Sequence, residues 1–202
     1  MRQSEFPKAR NYLFFILTYR LGESQLVKIA SPFLLDTRDA GGLALSTETV
    51  GLAYGTIGVI GLLLGGIIGG VCISRGGLKK WILPMALAIN LPDLLYVLLA
   101  YTQTESIYLT IGCIFCEQLG YGFGFTAYTL YMIYFARGKY PTAHFAISTA
   151  FMSLGMMLPG MISGYIQQWT GYENFFIWVM ICTAVTFIVS AFIKIDPNFG
   201  KK

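Results

Sequence analysis

Apolar residues run along this chain in six long blocks, separated by short polar connections. The blocks cover residues 12–35, 49–73, 81–101, 107–136, 143–168 and 174–194. A helix needs about 20 apolar residues to cross a bilayer core of about 30 Å, so the pattern predicts six membrane-spanning helices in one domain, residues 1–202. RGGLKK, QTES, RGKYPT and WTGYEN, which join the blocks, are rich in turn formers. The longer connection DTRDAGGLALSTE is too polar to be buried. The expected fold class is therefore all-α and integral to a membrane.

Composition agrees with the pattern. Of 202 residues, 55% are hydrophobic and only 12% charged, with a mean hydropathy of +0.63, whereas soluble domains carry about 25% charge. The net charge of +4 has a topological reading. Arg2, Lys8, Arg10, Arg75, Lys79, Lys80, Arg137, Lys139, Lys194, Lys201 and Lys202 fall on one side of the predicted helices. Arg38 alone falls on the other, with Asp36, Asp39, Glu48, Glu105 and Glu173. Eleven against one is a strong positive-inside bias; it puts both termini in the cytoplasm and calls for no nucleic-acid partner. MRQSEFPKARNYLFF reads poorly as a signal peptide, because the following run is too long, holds Arg20 and lacks a small-residue cleavage site. Cys72, Cys113, Cys116 and Cys182 all lie in apolar runs, at neither disulfide nor zinc spacing. No cofactor or metal is implied. A single histidine, His144, without an HExxH pattern argues against an intramembrane enzyme and reads best as interfacial.

The polar residues inside the blocks carry the functional signal, since each charge at mid-bilayer costs about 2.5–3.5 kcal/mol on insertion scales. In YRLGESQLVKIA, with Arg20 at zero and about 100° per residue, Glu23 falls at about −60°, Ser24 at about +40°, Lys28 at about +80° and Ser31 at about +20°. These share one face, which must look into a bundle or a water-filled cavity; Gln25 lies beyond its edge. On the fourth block Glu117, Tyr121, Gly124, Tyr128 and Tyr131 recur at steps of four and three, and Gly120 with Gly124 permits close approach. The third block holds Asn90, Pro92 and Asp93, where proline frees a backbone carbonyl. The second and fifth blocks are glycine-rich. This distribution fits two inverted three-helix repeats, although no residue-by-residue repeat is visible. Each feature also has a plainer reading: a salt-bridge network for Arg20, Glu23 and Lys28, helix packing for Asn90, Asp93 and the glycines, and interfacial anchoring for the tyrosines.

GGVCISRGGLKKW, Gly69 to Trp81, resembles the cytoplasmic signature of the major facilitator superfamily. Gly70, Arg75, Gly77, Lys79 and Lys80 match it, and Ser74 stands where an acid is usual. YRLGESQLVKIASPFLLD, INLPDLLYVLLAY, EQLGYGFGFTAYTLYMIYFARGKYPTAHFAIST and LGMMLPGMISGYIQ together resemble the AmpG-type muropeptide permeases, over residues 7–195. The resemblance corresponds to helices seven to twelve of a twelve-helix permease. It implies proton-driven import of anhydromuropeptides across a bacterial inner membrane, and a role in wall recycling. It also implies a partner, either an N-terminal six-helix half or a second copy. On this reading Arg20 and Lys28 meet the carboxylates of an amino sugar bearing a peptide, and Glu23 balances them. Ser24, Glu117, Tyr121 and Tyr128 complete the cavity, and Glu117 and Asp93 are the proton-coupling candidates. The runner-up is a non-transporting membrane sensor or assembly subunit.

Overall fold

The turn formers between the apolar blocks become helix ends. The computed structural model describes residues 6–201, and no strand occurs among the described residues. Of the basic residues counted for orientation, Arg2 and Lys202 lie outside the described residues. The first predicted span is two helices, α1 (Phe6–Thr18) and α2 (Leu21–Leu35), divided at Tyr19–Arg20. The second consists of α3 (Thr47–Leu52), a π-helical turn over Ala53–Gly58, and α4 (Val59–Gly76). The third is α5 (Leu78–Asn90), a 3₁₀ turn at Leu91–Asp93, and α6 (Leu94–Thr102). The fourth is α7 (Ile107–Phe135), continuous throughout. Ser46 and Ser106 begin α3 and α7, each accepting a backbone N–H three residues on with its hydroxyl.

The last two predicted spans form α8 (Pro141–Phe192), 52 residues interrupted only at Gly171. The predicted loop WTGYEN is thus shorter than expected, because Gly171 makes the turn by itself. Its φ of 78° with ψ of 169° is open to glycine and closed to residues with a Cβ. The limbs on either side run in opposite senses against α1 and α2. Ser148, Gly155 and Gly160 meet Tyr12, Leu17 and Ser24 in rising order. Tyr172, Trp178, Thr183 and Thr186 meet Asp36, Gln25, Gly22 and Tyr19 in falling order.

By length and apolarity, three stretches among the described residues can cross a membrane: Thr47–Gly76, Leu78–Thr102 and Pro141–Phe192, with mean hydropathies of 2.3, 1.9 and 2.3. α7 has the length, but Glu117, Gln118 and its tyrosines dilute its apolar character. The α1–α2 pair is divided at its own charged residues.

Glycine sets the packing distance. A Cβ at Gly61 would sit 2.9 Å from the Phe115 carbonyl of α7, and one at Gly155 2.9 Å from the Leu17 carbonyl of α1. α4 therefore lies on α7, and the first limb of α8 on α1, at near-backbone contact. The aromatic core divides into two clusters. One gathers Phe33, Tyr96, Tyr172, Phe175 and Phe176; the other gathers Tyr12, Phe15, Tyr19, Tyr128 and Tyr131. Large apolar side chains also cover the outside, Phe192 at 75% and Trp169 at 90% exposure. On a soluble domain so wide an apolar surface would drive aggregation; against lipid it is the expected exterior.

A buried polar centre at the α2–α7 crossing

The divide at Tyr19–Arg20 places a charged residue at the joint of two helices. Arg20 leaves helical geometry, with φ −110° and ψ 26°. The carbonyls of Ile16 and Tyr19, just before it, accept hydroxyls from neighbouring helices: Tyr128 reaches Ile16 at 2.8 Å and Thr186 reaches Tyr19 at 2.8 Å. Backbone groups at a break inside hydrocarbon need such partners. Tyr128 is therefore part of the joint. It is fully buried, its ring stacks on Tyr19 at 5.0 Å, and it does not reach the cavity where the sequence pattern had put it.

From that joint Arg20 makes a two-pronged contact with Glu23, Nε to Oε2 at 2.5 Å and Nη2 to Oε1 at 2.7 Å. Nη2 also donates to the Tyr121 hydroxyl at 2.7 Å, and the guanidinium lies 5.1 Å from the centroids of the Tyr121 and Phe125 rings. It is the one ion pair among the described residues. Glu117, one turn before Tyr121, is 4% exposed. It receives both its hydrogen bonds from the Gln118 amide, at 2.9 and 3.3 Å. Arg20 is thus paired with Glu23, and Glu117 lies outside any ion pair among the described residues.

Arg20, Glu23, Glu117, Gln118 and Tyr121 line a pocket of about 210 Å³, walled by Val27 and by Met156 of α8. Ser24 is buried but turned back onto its own helix, donating to the Leu21 carbonyl at 2.9 Å. Lys28 is exposed, its stem lying beside Gly160. Gln25, at the edge of the predicted polar face, is buried on the opposite side. It accepts from Trp178 Nε1 at 2.9 Å and donates to Cys182 at 3.4 Å, tying α2 to the second limb of α8.

Asp93 lies apart from this pocket. It is buried at the 3₁₀ turn of the third span, and both carboxyl oxygens lack a hydrogen-bond partner, as does Oδ1 of Asn90 one turn earlier. The Asn90 amide donates to the Ala86 carbonyl at 2.7 Å, as a packing role would require. Nearby on the same helix Tyr96 meets the hydroxyl of Tyr54. Neither tyrosine was singled out by the sequence pattern; each is one aromatic among many there.

The signature segment sits at the far end of α4. Gly77 turns the chain with φ 81°, Ser74 bonds back to the Val71 carbonyl at 2.8 Å, and Arg75, Lys79 and Lys80 are exposed. A Cβ on Gly70 would meet nothing within 4 Å. The following N–H, of Leu78, donates to the Phe199 carbonyl at 2.9 Å, and the Phe199 ring packs under Arg137 at 4.2 Å. The segment around Phe199 thus closes over this loop, a contact that no local pattern predicts.

Charged, hydrogen-bonded groups packed among apolar helices mark substrate or ion paths in many membrane proteins. No protein-family model matches the chain. Individual relatives do. The Rickettsia prowazekii protein named as transporter AmpG 1 is 26% identical over 188 residues, 92% of this chain and 40% of that protein. An AmpG 2 of Rickettsia typhi is 24% identical over 95% of the chain and 45% of its own length. The Escherichia coli K12 anhydromuropeptide permease is 22% identical over 82% of the chain and 33% of its own length. The chain is thus similar to AmpG-type permeases along most of its length, and these relatives are named as transporters and permeases, not as enzymes. It spans about two fifths of the length of these Rickettsia relatives.

Proposed function

We propose that this chain is one six-helix half of a major facilitator permease of the bacterial inner membrane, with both termini cytoplasmic. Its cargo is an anhydromuropeptide, and the proton gradient drives uptake. The observation that carries this is the polar centre on α2 and α7, on a helix whose flank also leaves Lys28 exposed, where a second half would face it. Packing supports the three-plus-three arrangement. Exchanging first with fourth, second with fifth and third with sixth spans turns α4 on α7 into the first limb of α8 on α1. It likewise turns α5 on α7 into the second limb on α2. Both members of each pair use glycine at the contact: Gly61 against Phe115 and Gly155 against Leu17, then Gly124 against Met85 and Gly22 against Thr183.

In this arrangement Arg20, oriented by Glu23 and Tyr121, and Lys28 present cations to the peptide carboxylates of the cargo. Glu117, free of a cation, takes and releases the coupled proton, with Asp93 as a second exchange site. Volume decides what the half can do alone. Pockets for drug-sized ligands run to about 300–1,000 Å³, and the 210 Å³ here is too small for an amino sugar carrying a peptide. The facing half supplies the rest of the cavity. The test is uptake of labelled anhydromuropeptide in cells lacking their own permease, with the chain expressed alone and with an N-terminal six-helix partner. Uptake only with the partner, abolished by collapsing the proton gradient, is expected. No uptake in either case, with the chain stably inserted, would leave a binding or sensor subunit.

A further inference from the structure

A hollow of about 610 Å³ lies away from the polar centre, between the start of α1 and the end of the second limb of α8. Its rim carries Arg10, Asn11 and Lys194; its wall is Phe14, Ile188 and Phe192. The order along the helix axes matters. Phe14 lies about 6 Å further in than Arg10, and Ile188 about 6 Å further in than Phe192, at about 1.5 Å per residue, with Lys194 beyond the helix end. Cationic groups therefore stand at one level and apolar side chains at a deeper one, on both sides of the same hollow. Arg10 and Lys194 are exposed and belong to no ion pair among the described residues. A second hollow of about 320 Å³ shares Asn11, Phe192 and Lys194 with the first.

We infer that this hollow is a binding site for one anionic phospholipid. The phosphate is met by the guanidinium of Arg10 and the ammonium of Lys194, with the Asn11 amide free to donate to a phosphate or glycerol oxygen. An acyl chain lies along Phe14, Ile188 and Phe192. Basic pockets between transmembrane helices hold anionic head groups in this way. A free phosphate would satisfy the rim alone and leave Phe14 and Phe192, 56% and 75% exposed, uncovered; a neutral lipid would cover the wall and leave both cations without a counter-charge. The site rests on the chain being a membrane protein and not on what it carries, so it stands or falls separately from the transport reading.

The full chain, purified in mild detergent, is exposed to phosphatidylglycerol and to phosphatidylcholine with the same acyl chains, and bound lipid is counted by native mass spectrometry. One retained phosphatidylglycerol per chain is expected, in clear preference to phosphatidylcholine. Arg10→Gln with Lys194→Gln should weaken that preference by about thirtyfold. Lys79→Gln with Lys80→Gln, an equal loss of charge elsewhere, should leave it unchanged. Should the double variant fail to purify, each single glutamine variant is read in the same way. Equal retention of the two lipids, or a preference that survives the Arg10 and Lys194 substitutions or falls equally in the control, overturns the site.

Discussion

Arg20 and Glu23 show how a charge is tolerated at membrane depth: each is the other's counter-ion, and Tyr121 takes a remaining donor. Removing one member of such a pair leaves an uncompensated buried charge, which costs about 3–5 kcal/mol, whereas replacing both by apolar residues is close to neutral. Glu23→Gln should therefore lower the unfolding free energy by about 3 kcal/mol in detergent. Arg20→Met with Glu23→Met should recover most of it while abolishing uptake by the assembled permease. Recovery of stability together with uptake would reduce the pair to a helix fastener. Glu117 sets a different problem, because its one hydrogen-bonding neighbour is neutral. If it carries the coupled proton, Glu117→Gln stops gradient-driven accumulation but preserves exchange of labelled for unlabelled cargo across vesicles. Loss of both would make it a binding residue, and loss of neither would remove it from the mechanism.

At the scale of helices, glycine decides which surfaces can touch. Gly155→Leu would drive a side chain into the Leu17 carbonyl, and an overpacked contact of this kind costs about 1–3 kcal/mol or more. Gly70→Ala, at an open surface, should be neutral or stabilising by about 0.5–1 kcal/mol, although Gly70 belongs to the signature segment. Thermal unfolding of the two variants side by side checks both; equal melting temperatures would mean that these contacts are not close-packed in the membrane. The joint between α1 and α2 belongs to this scale as well. It was invisible in a block that reads as one apolar run, because the partners of its carbonyls, Tyr128 and Thr186, lie more than a hundred residues away.

For the whole molecule, the exposed flank of α2 is the feature with consequences. Val27, Lys28 and Ser31 face outward beside the pocket, although their helix buries Glu23, Ser24 and Gln25 on its other sides. A charged residue beside a half-formed cavity is poorly suited to lipid and well suited to a facing half. The uptake experiment under Proposed function therefore tests assembly as much as chemistry.

Much was legible in neighbouring residues alone: an all-helical, strongly apolar chain and the polar residues of α2 and α7. Hydrophobic runs, turn formers and the price of intramembrane charge are local properties, and each is written in neighbouring residues. Helical periodicity drew Glu23 and Tyr121 to polar faces, and both line the pocket. It could not say that Tyr128 closes a helix joint or that Lys28 is left outside the pocket. Nor could it show that one glycine, Gly171, does the work of a loop, or that Phe199 folds back over the signature segment. Those outcomes depend on which helix lies beside which, and hence on contacts between residues far apart in the chain. Only the tertiary structure decides them.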